Sequence, residues 1–233
     1  MSSDSDIIRN NISDIIRRVR AAAEKSGRDA REIQIIAVSK TIEPERIITA
    51  VDCGMAELGE NRVQELCEKY DKIDRKCNLH LIGHLQTNKV KYIIDRVKLI
   101  HSVDRAELAE EIQERAKKID RPADILIQVN VSGEKSKYGI SPDSVMDLAR
   151  ELASHSHIRV KGLMTMAPFA DNPEEVRYVF KDLNKIFIDI KKENIDNIDM
   201  RHLSMGMSND FEVAIEEGAN MVRIGTAIFG RRT

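Results

Sequence analysis

Ile33-Gln34-Ile35-Ile36-Ala37-Val38-Ser39-Lys40 is an aliphatic run that ends abruptly in a lysine. A charged helical segment precedes it and Thr41-Ile42-Glu43-Pro44 follows, which suits a parallel strand covered on both faces. The terminal lysine has two readings. Either it marks the point where the strand reaches solvent, or it is an amine whose pKa is lowered by its site, ready to condense with an aldehyde. An unpaired buried ammonium is costly, so the remainder of the chain has to decide.

Outward from this run the chain alternates. Ser5 can cap a helix whose apolar positions Ile8, Ile12, Ile15, Ile16 and Val19 keep a helical period toward Gly27. Pro44 opens a second helix that stops near Gly54. Further short strands are expected at 56–59, 79–83, 99–103, 125–129, 160–165, 202–205 and 221–225. Helical patterns separate them around 61–73, 87–95, 105–118, 142–154, 173–192 and 210–217. With the Lys40 strand this makes eight βα units, which implies a parallel sheet with right-handed crossovers. The first strand is not followed by Gly-x-Gly-x-x-Gly. The fold class expected is therefore α/β: one closed (β/α)8 TIM-type barrel with an extra N-terminal helix, spanning 1–233 as a single domain.

Composition narrows the functional classes. A hydrophobic content of 42% supports a large core, and a net charge of −2 gives no reason to expect nucleic acid or an anionic membrane. No apolar run reaches the roughly 20 residues of a membrane span. Met1-Ser2-Ser3-Asp4-Ser5-Asp6 lacks the basic and apolar blocks of a signal peptide. Cys53, Cys67 and Cys77 are odd in number and dispersed, which suits reduced thiols in a cytoplasmic protein.

A barrel places function at the C-terminal ends of its strands, often with a phosphate against the loops after strands seven and eight. Lys40 stands on that face. Strand seven ends in Ser204-Met205-Gly206-Met207-Ser208, with Asn209-Asp210 opening a short helix; strand eight ends in Arg223-Ile224-Gly225-Thr226. Small residues and hydroxyls ahead of free backbone N–H groups suit an anion. Each alone reads equally as a loop glycine or a helix cap. Together with Lys40 they converge on one barrel mouth, and a lysine beside a phosphate cradle points to pyridoxal 5'-phosphate (PLP) held as a Schiff base.

Five ordered motifs carry a resemblance. Ala37-Val38-Ser39-Lys40, Gly59-Glu60-Asn61-Arg62-Val63-Gln64-Glu65, Ile82-Gly83-His84-Leu85-Gln86-Thr87-Asn88-Lys89, Leu203-Ser204-Met205-Gly206-Met207-Ser208 and Arg223-Ile224-Gly225-Thr226-Ala227-Ile228-Phe229-Gly230 resemble the pyridoxal phosphate homeostasis protein family. That family is similar to the barrel domain of alanine racemase without its β-domain. The resemblance implies a PLP-binding protein that buffers or delivers the cofactor, with no established catalysis, and PLP-dependent apoenzymes as possible recipients.

The resemblance makes Lys40 the covalent attachment point. Ser204, Ser208, Gly225 and Thr226 would hold the phosphate, Met205 would pack against the ring or serve as core filler, and Asn61 would approach the ring or cap the following helix. It sets the Arg223 guanidinium against the pyridine nitrogen. Arginine only donates, so that nitrogen stays an unprotonated acceptor and the ring is a weak electron sink. The structural alternative for Arg223 is an interior salt bridge to a carboxylate such as Glu60. His80 and His84 lie on a strand and its loop and share no helical face, so no metal site is expected. His101, His155, His157 and His202 form no readable constellation. Ser132-Gly133-Glu134-Lys135-Ser136-Lys137-Tyr138-Gly139 is a solvated loop or a cationic lid. The rival function is an amino-acid racemase of the alanine-racemase type. That chemistry needs an acid–base group opposite Lys40, and none of Tyr70, Tyr92, Tyr138 or Tyr178 lies in a comparable element. A monomer is expected, since the domain that builds the racemase interface is not seen.

Overall fold

The computed structural model describes residues 4–73, 77–134 and 136–230. Eight strands close into a parallel barrel in sequence order: β1 (Gln34–Val38), β2 (Glu57–Glu60), β3 (Asn78–Leu81), β4 (Leu99–Val103), β5 (Ala123–Gln128), β6 (Ile158–Met164), β7 (Ile198–Met207) and β8 (Met221–Ile224). Closure is made by β1 on β8, with Gln34 opposite Met221 and Ala37 opposite Ile224. The outer helices are α1 (Asp4–Lys25), α2 (Pro44–Asp52), α3 (Val63–Tyr70), α4 (Ala106–Lys118), α5 (Val145–Ala153), α6 (Arg177–Glu193), α7 (Phe211–Glu216) and α8 (Thr226–Phe229).

The N-terminal helix has a structural task. α8 is a single turn and cannot cover the β8–β1 side of the barrel. α1 lies against α7, α2 and α8 and buries Ile8, Ile12, Ile15 and Val19, one stripe at helical spacing. Polar ties fix its register: Arg18 reaches Glu212 on α7 with two hydrogen bonds of 2.8 Å, and Asn11 Nδ2 donates to the Ile228 carbonyl at 2.9 Å.

Two elements differ from the periodicity reading. The segment expected as a helix over 87–95 is a 3-10 helix over Thr87–Tyr92. Its buried Val90 and the buried C-cap residue Ile93 are three apart, which the three-residue turn places on one side. β7 runs ten residues rather than four, because Met200 and Leu203 turn into the core around exposed Arg201. Its penultimate residue is Gly206, where φ is 89° and a Cβ would stand 2.6 Å from Ala214 Cβ. Only glycine lets α7 close onto the strand there.

Inside the barrel, one sector is apolar: Leu99, Leu126, Met164 and Met221 pack together with Met166. The other sector is polar. Buried His80, His101, Ser204 and Arg223 form a continuous hydrogen-bonded column.

Candidate functional site

A cavity of about 440 Å³ opens at the C-terminal ends of the strands, within the usual range for small-molecule sites. Val38, Ile82, Met166 and Met207 give it apolar walls, and Lys40, Asn61, Ser208 and Arg223 supply polar groups.

Lys40 sits on the loop after β1, and the residues on either side of it are clamped. Ser39 donates its N–H to the Gly59 carbonyl (3.0 Å) and its hydroxyl to Glu60 Oε1 (2.6 Å). Lys69, buried on α3, donates to the Ser39 carbonyl (2.6 Å), Glu60 (2.9 Å) and Glu65 (2.7 Å). Glu65 also accepts the Thr41 N–H. Thr41 has φ of 61°, a left-handed conformation that a β-branched residue rarely adopts. Strain of this kind persists where surrounding bonds over-determine the backbone, as they do on each side of Lys40. Burial pushes the Glu60 carboxyl up, and the Ser39 hydroxyl and Lys69 pull against that shift.

The loops after β7 and β8 meet on the far side of the cavity. The Gly225 and Ala227 amides both donate to Ser208 Oγ at 3.3 Å. Asp210 accepts the Met207 N–H and thereby holds the turn. Burial raises its carboxyl, against that hydrogen bond and the charge of Arg223. Two amides and a hydroxyl thus converge beside Thr226 at the cavity edge, a donor set suited to an anion.

Arg223 forms the floor. Its Nη1 donates to Ser204 Oγ (2.6 Å) and its Nη2 to the Thr165 carbonyl (2.7 Å). Burial pulls its pKa down to about 10, with Asp210 acting in the opposite direction, so it remains cationic near neutral pH. The alternative salt bridge to Glu60 does not form; Glu60 pairs with Lys69.

Of the residues expected at the site, Lys40, Asn61, Ser208, Arg223, Gly225 and Thr226 line this cavity. Two do not. The Ser204 hydroxyl is fully buried beneath Arg223 and bonded to Arg223 and His101, so it does not reach the phosphate edge. Met205 points outward into the core between barrel and helices, and Met207 lines the cavity instead. Asn61 does not cap α3, whose N-cap residue is Arg62; Asn61 passes so close to Gly83 that a Cβ there would lie 2.2 Å from its carbonyl oxygen.

At the rim, His84 stacks on Tyr138 with ring centroids 3.9 Å apart and planes 15° apart. The loop after β5 is tied down rather than loose: Gln128 Nε2 donates to the Tyr138 carbonyl (3.1 Å), and Lys137 pairs with Glu134 (2.6 Å). Lys135 lies outside the described residues. Among the described residues no cluster of side chains suits a metal ion, and no helix is long and apolar enough to cross a membrane. The His80–His101 contact escaped sequence reasoning. Both occupy inward positions on adjacent strands, a relation visible only once the barrel register is known.

Fold and cavity together define a (β/α)8 barrel with a small-molecule site at the C-terminal mouth of its strands, and the comparisons give its family. The family model described as the N-terminal domain of alanine racemase matches residues 4–233. The chain is 46% identical to the pyridoxal phosphate homeostasis protein of Aquifex aeolicus, over 95% of this chain and 96% of that one. It superposes on PipY of Synechococcus elongatus, solved with PLP bound, with a TM-score of 0.81 and 29% identity, over 91% of this chain and all of that one. Alanine racemase of Clostridium difficile shares the fold at TM-score 0.75 and 18% identity; 97% of this chain matches 56% of the racemase. This chain belongs to the pyridoxal phosphate homeostasis protein family.

Proposed function

We propose that this protein binds PLP reversibly through a Schiff base to Lys40 and serves cytoplasmic PLP homeostasis, buffering the cofactor or delivering it to PLP-dependent apoenzymes, without catalysing a reaction. PLP brings an aldehyde for a lysine amine, a dianionic phosphate, and a pyridine ring whose electron demand depends on what meets its nitrogen. The residues present fit these parts. Among the described residues Lys40 is the one lysine on the cavity wall, the Gly225 and Ala227 amides with Ser208 and Thr226 suit the phosphate, and apolar walls suit the ring. The observation that carries the reading is Arg223: a buried cation in the floor, held by the Ser204 hydroxyl and the Thr165 carbonyl.

Arg223 also bears on the choice between carrier and racemase. A guanidinium can only donate, so an acceptor facing it stays unprotonated, and carbanion chemistry loses its electron sink. Racemisation would further need an acid–base group across from Lys40; Tyr138, the tyrosine at the cavity, stacks on His84 at the rim. The whole chain acts as one PLP-binding domain and as a monomer in this reading.

The test is the visible absorption spectrum of PLP-loaded protein before and after borohydride, followed by peptide mapping. A pyridoxyl group on Lys40, absent from Lys40→Ala, is the result expected. A label confined to Lys137, or no label, overturns the assignment.

A further inference from the structure

The polar column inside the barrel has a direction. Lys98 Nζ, half-exposed at the start of β4, donates to Glu57 Oε1 at 2.7 Å. Glu57 Oε2 lies 2.6 Å from His80 Nε2, His80 Nδ1 lies 2.9 Å from His101 Nε2, and His101 Nδ1 lies 3.0 Å from Ser204 Oγ. Arg223 closes the column on that same oxygen. Both imidazole rings are fully buried.

Only one arrangement of protons satisfies every contact with neutral rings. Burial opposes ionisation of Glu57, yet the bonds from His80 and Lys98 outweigh it and hold its pKa at about 2, so it only accepts. His80 must therefore carry its proton on Nε2, leaving Nδ1 as acceptor. His101 then donates from Nε2 and accepts at Nδ1. Ser204 gives its proton to His101 and keeps a lone pair for Arg223, which only donates. Reversing any ring would set two donors or two acceptors face to face, at the cost of buried unsatisfied groups. The groups around the rings pull in both directions: burial and the Lys98 charge keep His80 low against Glu57, which raises it, and burial with its cationic neighbours keeps His101 low. His101 meets His80, Arg223 and His202, and His80 meets Glu57, Lys98 and His202.

We propose that Glu57, His80, His101 and Ser204 are positioning residues that fix Arg223 from the opposite end of the barrel, through a one-directional hydrogen-bond relay. The relay holds an oxygen acceptor under the guanidinium and so aims its remaining donors into the cavity. Its effect on ligand binding rests on the function proposed above; its proton arrangement does not. Below Arg223, the residues Glu57, His80, His101 and Ser204 lie outside the cavity lining.

Two measurements test it. In ligand-free protein labelled with 15N in its histidines, long-range ring spectra should show Nε2–H tautomers for both His80 and His101. Both should remain neutral as pH falls through about 6.5, where an ordinary imidazole takes up its proton. An Nδ1–H tautomer or a charged ring overturns the relay. In PLP titrations followed by absorbance, His101→Phe should weaken binding by about tenfold through loss of the acceptor that orders Ser204. His101→Gln, with an amide oxygen for Ser204 and an amide N–H for His80, should recover most of that loss. His80→Gln serves if His101→Phe fails to fold, and Glu57→Gln should move the Arg223 guanidinium 15N shifts. Affinity and shifts unchanged across these variants refute the positioning role. If instead wild-type protein fails to bind PLP at Lys40, the functional reading falls while the tautomer spectra still judge the relay.

Discussion

Lys69 Nζ donates to the Ser39 carbonyl at 2.6 Å, so an ammonium on α3 holds the residue immediately before Lys40. The same nitrogen donates to Glu60 and Glu65, and Glu65 in turn holds the residue after Lys40. Replacing Lys69 with Met leaves the fully buried Glu60 carboxylate without its counter-cation, which typically costs about 3 kcal/mol. Urea denaturation of Lys69→Met should show a loss of that size, together with slower capture of PLP as the Lys40 loop loosens. Unchanged stability would remove the clamp from the account.

The phosphate edge makes a second prediction. Charge-assisted hydrogen bonds are worth about 1.5–3 kcal/mol each, so pyridoxal should bind at least tenfold more weakly than its phosphate ester. Ser208→Ala should narrow that gap. Ser204→Ala should behave differently, weakening both ligands alike, because its hydroxyl meets Arg223 and His101 rather than the phosphate edge. Calorimetry with both ligands on both variants separates the cases. Equal affinity of wild type for the two ligands would remove the anion cradle.

Acid should destabilise the protein through the buried rings. Burial is the main cause that lowers the His101 pKa, reinforced by the charges of His80, Arg223 and His202; burial likewise lowers His80. The unfolded chain therefore takes up protons first as pH falls below about 6.5. Stability should be full above that pH and decline below it, by about 1.4 kcal/mol per pH unit for each ring until its folded pKa is reached. Chemical denaturation between about pH 7 and pH 5 should show the slope, and His101→Phe should flatten it. A pH-independent midpoint would contradict buried neutral histidines.

With Arg223 in the floor, PLP-loaded protein should not accelerate exchange of the α-proton of L-alanine with deuterated solvent beyond free PLP. NMR over hours measures it. Exchange well above that background, lost in Lys40→Ala, would promote the racemase alternative; exchange with retained chirality would indicate a single base with the opposite face closed.

The sequence by itself determined the architecture and the rim of the site. Eight alternations of apolar run and helical pattern, with no dinucleotide-binding glycines after the first strand, favour a closed parallel barrel, and a barrel assigns function to strand ends; Lys40, Ser208, Gly225 and Thr226 stand out by that rule, and Asn61 and Arg223 by the family resemblance. Tertiary structure alone decided which side chains turn inward. On β7 the register shifts between Ser204 and Met207 around Gly206, so alternation cannot be carried across the strand end. Ser204 falls beneath Arg223, Met205 faces the helices, and Met207 takes the cavity wall. The His80–His101 contact depends on β3 and β4 lying side by side in one register. The hold of Lys69 on Ser39 depends on α3 packing over β2. Local sequence records spacing along one strand or helix; a hydrogen bond between elements exists only after closure has set both their separation and their facing.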